Sequence, residues 1–296
     1  MTSKNAFIYG APILAGAFFL IWYVLPIGWV LWVSFWDYSP ISPNNAPVGL
    51  ENYREALFQD HVFWAAVKNT AYFTFGNVVL GTIMALLIAN GLSRLGTLRR
   101  LAQTAYFMPT LFSIVAAAVV WEEIFQPRFG ILNNGLYYLT DSLGLPPFPE
   151  IGWTTTTDWS MPTVILFGLW KFLGIRIIIL LAAIEAVPRD LYEAASIDGV
   201  TKRQQFFHVT IPLIKPALWF VVIAGIINSF QVFEPMYVIT DGGPLRSSVS
   251  MVMLVAETAF ERQRFGYSAA ISILLFGMIL ALTAVLFWLR GRSEER

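Results

Sequence analysis

Five polar or charged side chains interrupt two long apolar stretches of this sequence, and their types could do chemistry there. They are Lys171, Arg176, Asn228, Gln231 and Glu234. Cations, amides and a carboxylate hold solutes by charge and by hydrogen bonds. Because such groups are costly inside a bilayer, we interpret them by default as part of a solute path. The last three are spaced three residues apart, so on a continuous helix they would share one face that drifts modestly around the axis.

The depth of these residues leaves two interpretations open, and the two do not exclude each other. At 1.5 Å per helical residue, Lys171 and Glu234 lie within roughly 5 Å in height, and Arg176 lies near the level of Asn228. In one interpretation these side chains form a polar cavity for a hydroxyl-bearing solute. In the other, Lys171 and Glu234 form an ion pair that only satisfies two intramembrane charges. The cavity would gain stacking and hydrogen bonds from three further residues, Trp121, Glu122 and Trp170.

The sequence lacks the patterns of several other kinds of chemistry. Neither HExxH nor GxSxG occurs, which argues against an intramembrane enzyme. There is no cysteine, and the two histidines, His61 and His208, are far apart in the chain, so we expect no metal site. No GxxxxGK(S/T) loop is present to cradle nucleotide phosphates. A net charge of zero argues against nucleic acid as a partner.

Helices in a membrane must position these side chains. Of 296 residues, 57% are hydrophobic and 13% are charged, whereas soluble domains carry about twice that charge. Since a spanning helix needs roughly 20 mostly apolar residues, the sequence predicts an all-α polytopic membrane protein with one domain over residues 1–296. Its six predicted transmembrane helices are residues 10–34, 69–91, 104–125, 162–186, 216–240 and 268–290.

The distribution of Lys and Arg predicts the orientation of the chain. With the N-terminus inside, the inside segments hold 11 of these residues and the outside segments hold 5. The positive-inside bias therefore places both termini in the cytoplasm. Residues 187–215, the longest inside connection, then face the cytoplasm.

This connection contains the stretch EAASIDGVTKRQQFFHVTIP, residues 193–212. We expect a short helix that begins near Asp190 and ends at Gly199, because glycine tolerates a left-handed helix end. Thr201 is a candidate N-cap of a second helix, and Pro212 is expected to stop it. The residues alone allow two interpretations of this helix–glycine–helix hairpin. It is either a solvated loop with an interfacial amphipathic helix or a docking element for another protein.

A resemblance to a known family favours the second interpretation. Glu193-Ala194-Ala195, then Gly199, then Val209-Thr210-Ile211-Pro212 resembles the cytoplasmic signature of permease subunits of binding-protein-dependent (type I) ABC importers. Val and Ile replace the usual Ile and Leu, which keeps the apolar character. Four further stretches are similar to the maltose-type branch, which transports sugars and glycerol phosphates. They are VGLENYREAL, FGILN, VPRDLYEAASIDG and VFEPMYVITDGGP.

The resemblance implies that the hairpin couples the chain to an ATPase subunit by sitting in a groove on it. Glu193 is expected to hold a cap or an ion pair and Gly199 to make the bend, while Phe206, Phe207 and His208 fill the groove. The residues to which the resemblance assigns this role are Glu193, Ala194, Ala195, Asp198, Gly199, Phe206, Phe207, His208 and Pro212.

The resemblance also implies a set of partners in the inner (cytoplasmic) membrane. These are a second, non-identical permease, two ATPase subunits and an extracytoplasmic solute-binding protein that docks near Asp241–Pro244, besides membrane lipid. The chain itself would bind no cofactor and catalyse no reaction, because ATP and Mg²⁺ would be held by the ATPase subunits.

One alternative function and several substrates stay open. A self-sufficient secondary transporter driven by an ion gradient would need an ion site and usually an inverted repeat, and no convincing repeat is visible. The resemblance allows an oligosaccharide, polyol, glycoside or glycerol phosphate ester. Glu122 and Glu234 offset Lys171 and Arg176, so we favour a neutral sugar or polyol.

Overall fold

The computed structural model describes residues 12–96 and 98–294, with side chains up to Arg292. This part of the chain is mostly helical, which confirms the predicted fold class at that level. The helices, in chain order, are α1 (Pro12–Val33), α2 (Glu51–Phe58), α3 (His61–Leu92), α4 (Leu98–Leu111), α5 (Ile114–Ile124), α6 (Ile131–Ser142), α7 (Thr157–Glu185), α8 (Arg189–Ile197), α9 (Lys202–Leu213), α10 (Lys215–Phe230), α11 (Glu234–Thr240), α12 (Met251–Ala256) and α13 (Phe265–Glu294).

The chain divides into two compact units. The smaller holds the described residues up to Trp64 together with Leu254–Met278, and the larger holds Ala65–Met253 and the described residues from Ile279 onward. The smaller unit contains two short antiparallel strands, β1 (Trp36–Asp37) and β2 (Ala46–Pro47), in which Trp36 lies opposite Pro47.

An ion pair joins α2 to the residue before α13 inside the smaller unit. Arg264 donates through both terminal nitrogens to the carboxylate of Glu55, at 2.7 and 2.6 Å. The hydrogen bond that Arg264 donates to Glu55, more than the charge of Glu55, raises the pKa of Arg264 above its usual value, so the pair stays ionised. Beside it, the hydroxyl of Tyr267 donates to Asp60 at 2.6 Å. These contacts position the start of α13.

α7 forms the core of the larger unit, where it packs against the C-terminal half of α3 and against α4. Ala85 and Ala89 of α3 are fully buried in one cluster with Ile177 and Leu180 of α7. Small residues let two membrane helices approach closely. Gly174 serves the same purpose towards α4, because a Cβ there would collide with the backbone of Tyr106 and Phe107.

The described residues contain four helices long and apolar enough to cross a membrane. There are up to six spans if each of two bent pairs, α4 with α5 and α9 with α10, is counted as one span. The four are Pro12–Val33, His61–Leu92, Thr157–Glu185 and Phe265–Arg292. Three of them begin a few residues earlier than predicted. Residues 10 and 11 of the first predicted span lie outside the described residues. The count of six spans therefore stays a prediction.

Two of the predicted spans are not continuous helices in the structure. The span predicted at 104–125 consists of α4 and α5, which meet at 97°. Pro109 removes a helical N–H near the end of α4, and Ser113 has an extended ψ of 133°. The span predicted at 216–240 ends at Phe230 and resumes at Glu234. Hydropathy averaged over a spanning window does not detect such breaks, because Ser113 and Gln231 are single polar residues among apolar neighbours.

Candidate functional site

A cavity of about 400 Å³ lies in the larger unit, between α7 and the broken helix formed by α10 and α11. Its polar lining consists of Arg176, Asn228, Ser229, Gln231 and Glu234. Its walls are otherwise apolar and include aromatic rings, those of Phe73, Phe172 and Phe220. A site of this kind can hold a small solute by a few polar groups while its walls exclude water.

The break in the helix places Asn228, Gln231 and Glu234 around this cavity. The sequence predicted one face of a continuous helix, and that geometry is wrong. Gln231 caps the end of α10, and Glu234 is the first residue of α11, where Pro235 follows it. The N–H of Gln231 donates to Asn228 O at 3.3 Å, which tightens the last turn. Non-helical backbone at membrane depth is tolerated where it lines a cavity.

Arg176 is buried, with 6% of its surface exposed, and a single residue holds its guanidinium. The two terminal nitrogens donate to the backbone O and to Oδ1 of Asn77, at 2.7 and 2.6 Å. Asn77 lies in a widened turn of α3, Gly76–Leu80, and such turns free backbone groups for other partners. Gly81 leaves room for the guanidinium, since a Cβ there would collide with it.

Asn77 and Gly81 were missed by the sequence analysis. Asn77 is a polar residue in the apolar stretch TFGNVVLG, so the criterion that selected Arg176 would also have found it. Gly81 carried no signal, because a small residue in a membrane helix is common.

Lys171 is buried but has a different environment, and its partners in the described chain are backbone carbonyls and not Glu234, the partner in one of the two interpretations. Its Nζ donates to the backbone oxygens of Pro109 and Phe112, at 2.7 and 2.5 Å. These carbonyls lie at the bend between α4 and α5, where the last carbonyls of a helix lack helical donors. The ammonium group of Lys171 therefore supplies hydrogen-bond donors to the free carbonyls at this broken helix end.

Trp121 and Trp170 belong to an aromatic core and do not line the cavity of the described chain. Their ring centroids are 5.0 Å apart, and Trp121 also packs edge-on against Phe167 at 5.7 Å. This cluster is continuous with Ala117, Ala118 and Ile239. Glu122, on the next position of α5, is exposed. Both rings are held in place by packing between helices, which the sequence alone did not show.

The hairpin has the helix–glycine–helix arrangement that the sequence predicts. α8 spans Arg189–Ile197, and Gly199 has a left-handed φ of 76°. Thr201 caps α9 in a capping box with Gln204. The amide of Gln205 donates to Ser196 Oγ at 2.8 Å, which ties the second arm to the first. The hairpin is thus a preformed element.

Several residues expected to contact an ATPase lie on the surface of this hairpin. The exposed ones are Glu193, Ala194, Asp198, Gly199, Phe207, His208 and Pro212, while Ala195 is half-buried. Ile197 is 87% exposed and was not among the predicted contacts.

Three features of the hairpin bear on what was expected of Phe206, Glu193 and Pro212. Phe206 is 8% exposed, so it packs into this chain and is not available to fill a groove. Glu193 has no cap or ion pair within the described chain. α9 continues past Pro212 to Leu213 and bends by 69° at Ile214. A widened turn, Phe206–Thr210, precedes Pro212 and relieves the clash that proline makes in a regular helix.

Comparison with known proteins supports one family. The family model described as "Binding-protein-dependent transport system inner membrane component" matches residues 77–296. A probable ABC transporter permease protein of Bacillus subtilis, YurN, is 29% identical over 300 residues, which cover 99% of this chain and 100% of that protein. The trehalose/maltose transport system permease protein MalF of Thermococcus litoralis is 32% identical over 270 residues, with 90% and 87% covered.

A solved structure has the same fold. It is a chain of a bacterial ABC transporter involved in the import of the acidic polysaccharide alginate, with a TM-score of 0.82 over 98% of this chain and 96% of that one. At 23% identity, this similarity concerns the fold alone.

Proposed function

Because the chain belongs to the family of binding-protein-dependent transport system inner membrane components, we propose that it forms the solute pathway of an ATP-driven importer together with a second, non-identical permease. The chain is a permease subunit of the ABC importer class whose relatives transport sugars and glycerol phosphates. In this proposal both termini are cytoplasmic, six helices cross the inner membrane, and an extracytoplasmic binding protein delivers the solute near Asp241–Pro244.

The observation that carries the proposal is the cavity at the break between α10 and α11. It combines one cation, Arg176, with one carboxylate, Glu234, and with the amides of Asn228 and Gln231. This set offers donors and acceptors without an excess of charge, which suits a hydroxyl-rich neutral solute. The aromatic walls suit the apolar faces of a sugar ring. We therefore propose a sugar or polyol as the substrate, in line with the trehalose and maltose named for the Thermococcus relative.

Glu122 and Lys171, which were part of the charge balance considered from the sequence, do not line the cavity. Glu122 is exposed on α5, and Lys171 is engaged by two carbonyls at the bend between α4 and α5. Within the cavity of the described chain, Arg176 and Glu234 are left to offset each other. This balance supports the preference for a neutral solute over an anionic one.

The exposed surface of the hairpin supports coupling to an ATPase. Ile197 and Phe207 present apolar surface, 87% and 50% exposed, on an element whose fold is fixed by capping and by Gln205. In this proposal two separate ATPase subunits bind ATP and Mg²⁺. Each has a groove into which a coupling hairpin docks. Movement of the ATPase dimer would then be transmitted through α8 and α9 to α7 and α10.

Co-purification of the tagged chain from its native membrane tests the proposal. We expect a second permease and an ATPase to be recovered in stoichiometric amounts. Ile197→Asp places a charge in the proposed groove and should remove the ATPase while keeping the second permease. Ile131→Asp is the matched control, because Ile131 is also an exposed isoleucine, at the start of α6. Solute transport by the chain alone, without ATP, would instead identify a secondary transporter.

A further inference from the structure

A second cavity, of about 490 Å³, lies at the opposite end of α7 from the proposed entry of the solute. Four cationic side chains from four different segments line it. They are Arg94, after α3, Arg99 of α4, Arg189 of α8 and Lys202 of α9. We call this cavity the inner basic pocket. Arg94, Arg99 and Arg189 also line an adjoining cavity, to which Arg100 contributes a fifth cation.

The positive charge of the inner basic pocket is largely uncompensated. Glu185 is the one carboxylate in its described lining, and it is already paired with Arg99. Lys202 has only the neutral side chain of Gln205 as a partner, at 3.3 Å. Arg94 and Arg189 have no side-chain partner in the part of the chain that the structure describes. Like charges that converge on one cavity repel each other, and an anion in it would relieve that repulsion.

The positive-inside bias explains why cations occur at this end of the helices. It does not explain why four separate segments direct them to one concave site. The pocket also contains three hydroxyls. That of Ser93 donates to Asn90 O at 2.9 Å, and those of Tyr192 and Thr210 hydrogen-bond each other at 3.0 Å, which leaves one hydroxyl proton of that pair free to donate. Cations and hydroxyls around a cavity are the groups that bind the oxygens of a phosphate.

The surroundings of the pocket favour a phospholipid over a free phosphate. The pocket lies where α3 and α7, two candidate spanning helices, end at Leu92 and Glu185. Beside Arg99 and Arg100, α4 exposes Leu98 and Leu101, at 66% and 71%. This arrangement offers a cationic site for a headgroup next to an apolar surface for an acyl chain. Basic pockets between membrane helices on the cytoplasmic side typically bind anionic headgroups.

We propose that the inner basic pocket binds the headgroup of an anionic phospholipid of the inner leaflet. Its walls include both arms of the coupling hairpin, through Arg189 and Tyr192 on α8 and Lys202 and Gln205 on α9. A bound lipid would therefore connect the hairpin to the ends of α3 and α7. The composition of the membrane would affect the position of the hairpin and the efficiency of coupling to the ATPase. The site is separate from the solute cavity, so lipid binding there does not depend on the identity of the solute.

Lipid titration of the purified full-length chain with its native partners tests this proposal, with binding followed by native mass spectrometry. We expect phosphatidylglycerol to bind at least tenfold more tightly than phosphatidylcholine of the same acyl chains. The double variant Arg94→Gln with Arg189→Gln should lose that preference about tenfold. The control, Arg128→Gln with Arg203→Gln, removes the same charge from exposed positions outside the pocket and should keep it.

Two further arms separate the alternatives. Arg94→Lys with Arg189→Lys keeps the charge and should retain most of the preference, which distinguishes loss of binding from loss of folding. Inorganic phosphate at millimolar concentration should not displace the lipid. Complete displacement would identify a free phosphate site, and equal affinity for the two lipids or an unaffected glutamine variant would overturn the proposal.

Discussion

Two buried cations on the same helix, Lys171 and Arg176, differ in their hydrogen-bond partners. They are 4% and 6% exposed and lie five residues apart on α7. Lys171 donates to two backbone oxygens at the bend between α4 and α5. Arg176 is fixed by Asn77 and lines the cavity formed by the broken helix of α10 and α11.

The difference shows that a charge inside a membrane protein does not by itself mark a solute path. A lysine has three donors that can satisfy carbonyls freed by a helix break, so its charge can serve the fold alone. An arginine has five donors in a planar fork. Two of them fix Arg176 to Asn77, and the group as a whole still faces the cavity. The functional assignment therefore depends on the surroundings of each cation.

The largest effect is expected from Lys171→Met, which leaves the oxygens of Pro109 and Phe112 without a donor. Each of the two unsatisfied groups costs about 1–3 kcal/mol, so the free energy of unfolding should fall by about 2–6 kcal/mol. The melting temperature and the yield in detergent measure this loss. Lys68→Met, at an exposed lysine at the outer part of α3, is the control. If Lys171→Met is combined with Glu234→Gln and the yield returns, an ion pair between the two residues would replace the contact described here.

An intermediate effect is expected from Gly81→Ala, which displaces the guanidinium of Arg176 without changing any side chain of the cavity lining. Added atoms in a packed site typically cost about 1–3 kcal/mol, and transport should fall about tenfold because Arg176 loses its fixed position. Uptake into proteoliposomes that contain the complete importer measures the effect. Gly91→Ala on the same helix has open space around its Cβ and should leave uptake unchanged. Equal uptake by both variants would show that the position of Arg176 does not matter for transport.

The smallest effect is expected from Gln231→Ala, which removes one neutral hydrogen-bonding group from the cavity. One such bond contributes about 0.5–1.5 kcal/mol, so the half-saturating solute concentration should rise about two- to tenfold while the melting temperature is unchanged.

Trp170→Phe should instead lower the melting temperature, because it weakens the aromatic core by about 0.5–1.5 kcal/mol, and it should leave the solute affinity intact. A raised half-saturating concentration in Trp170→Phe would return the two tryptophans to the solute path.

The sequence by itself determined the fold class, the approximate positions of the helices and the form of the hairpin. These properties follow from local features. Apolar runs of about 20 residues specify spanning helices, Gly199 permits the left-handed turn, and Thr201 with Gln204 forms the capping box. The family signature is likewise a pattern of neighbouring residues, and the family it indicated is the one that matches residues 77–296.

The tertiary structure alone decided which polar residues share a site. The partners of Lys171 lie about 60 positions earlier in the chain, and Asn77 lies 99 positions from Arg176. Hydropathy did not reveal the breaks at Ser113 and after Phe230. A break is stable only when other helices supply donors to its backbone or when it lines a cavity, and hydropathy contains no information about either. Buried polar groups must find partners, and those partners depend on how distant helices pack.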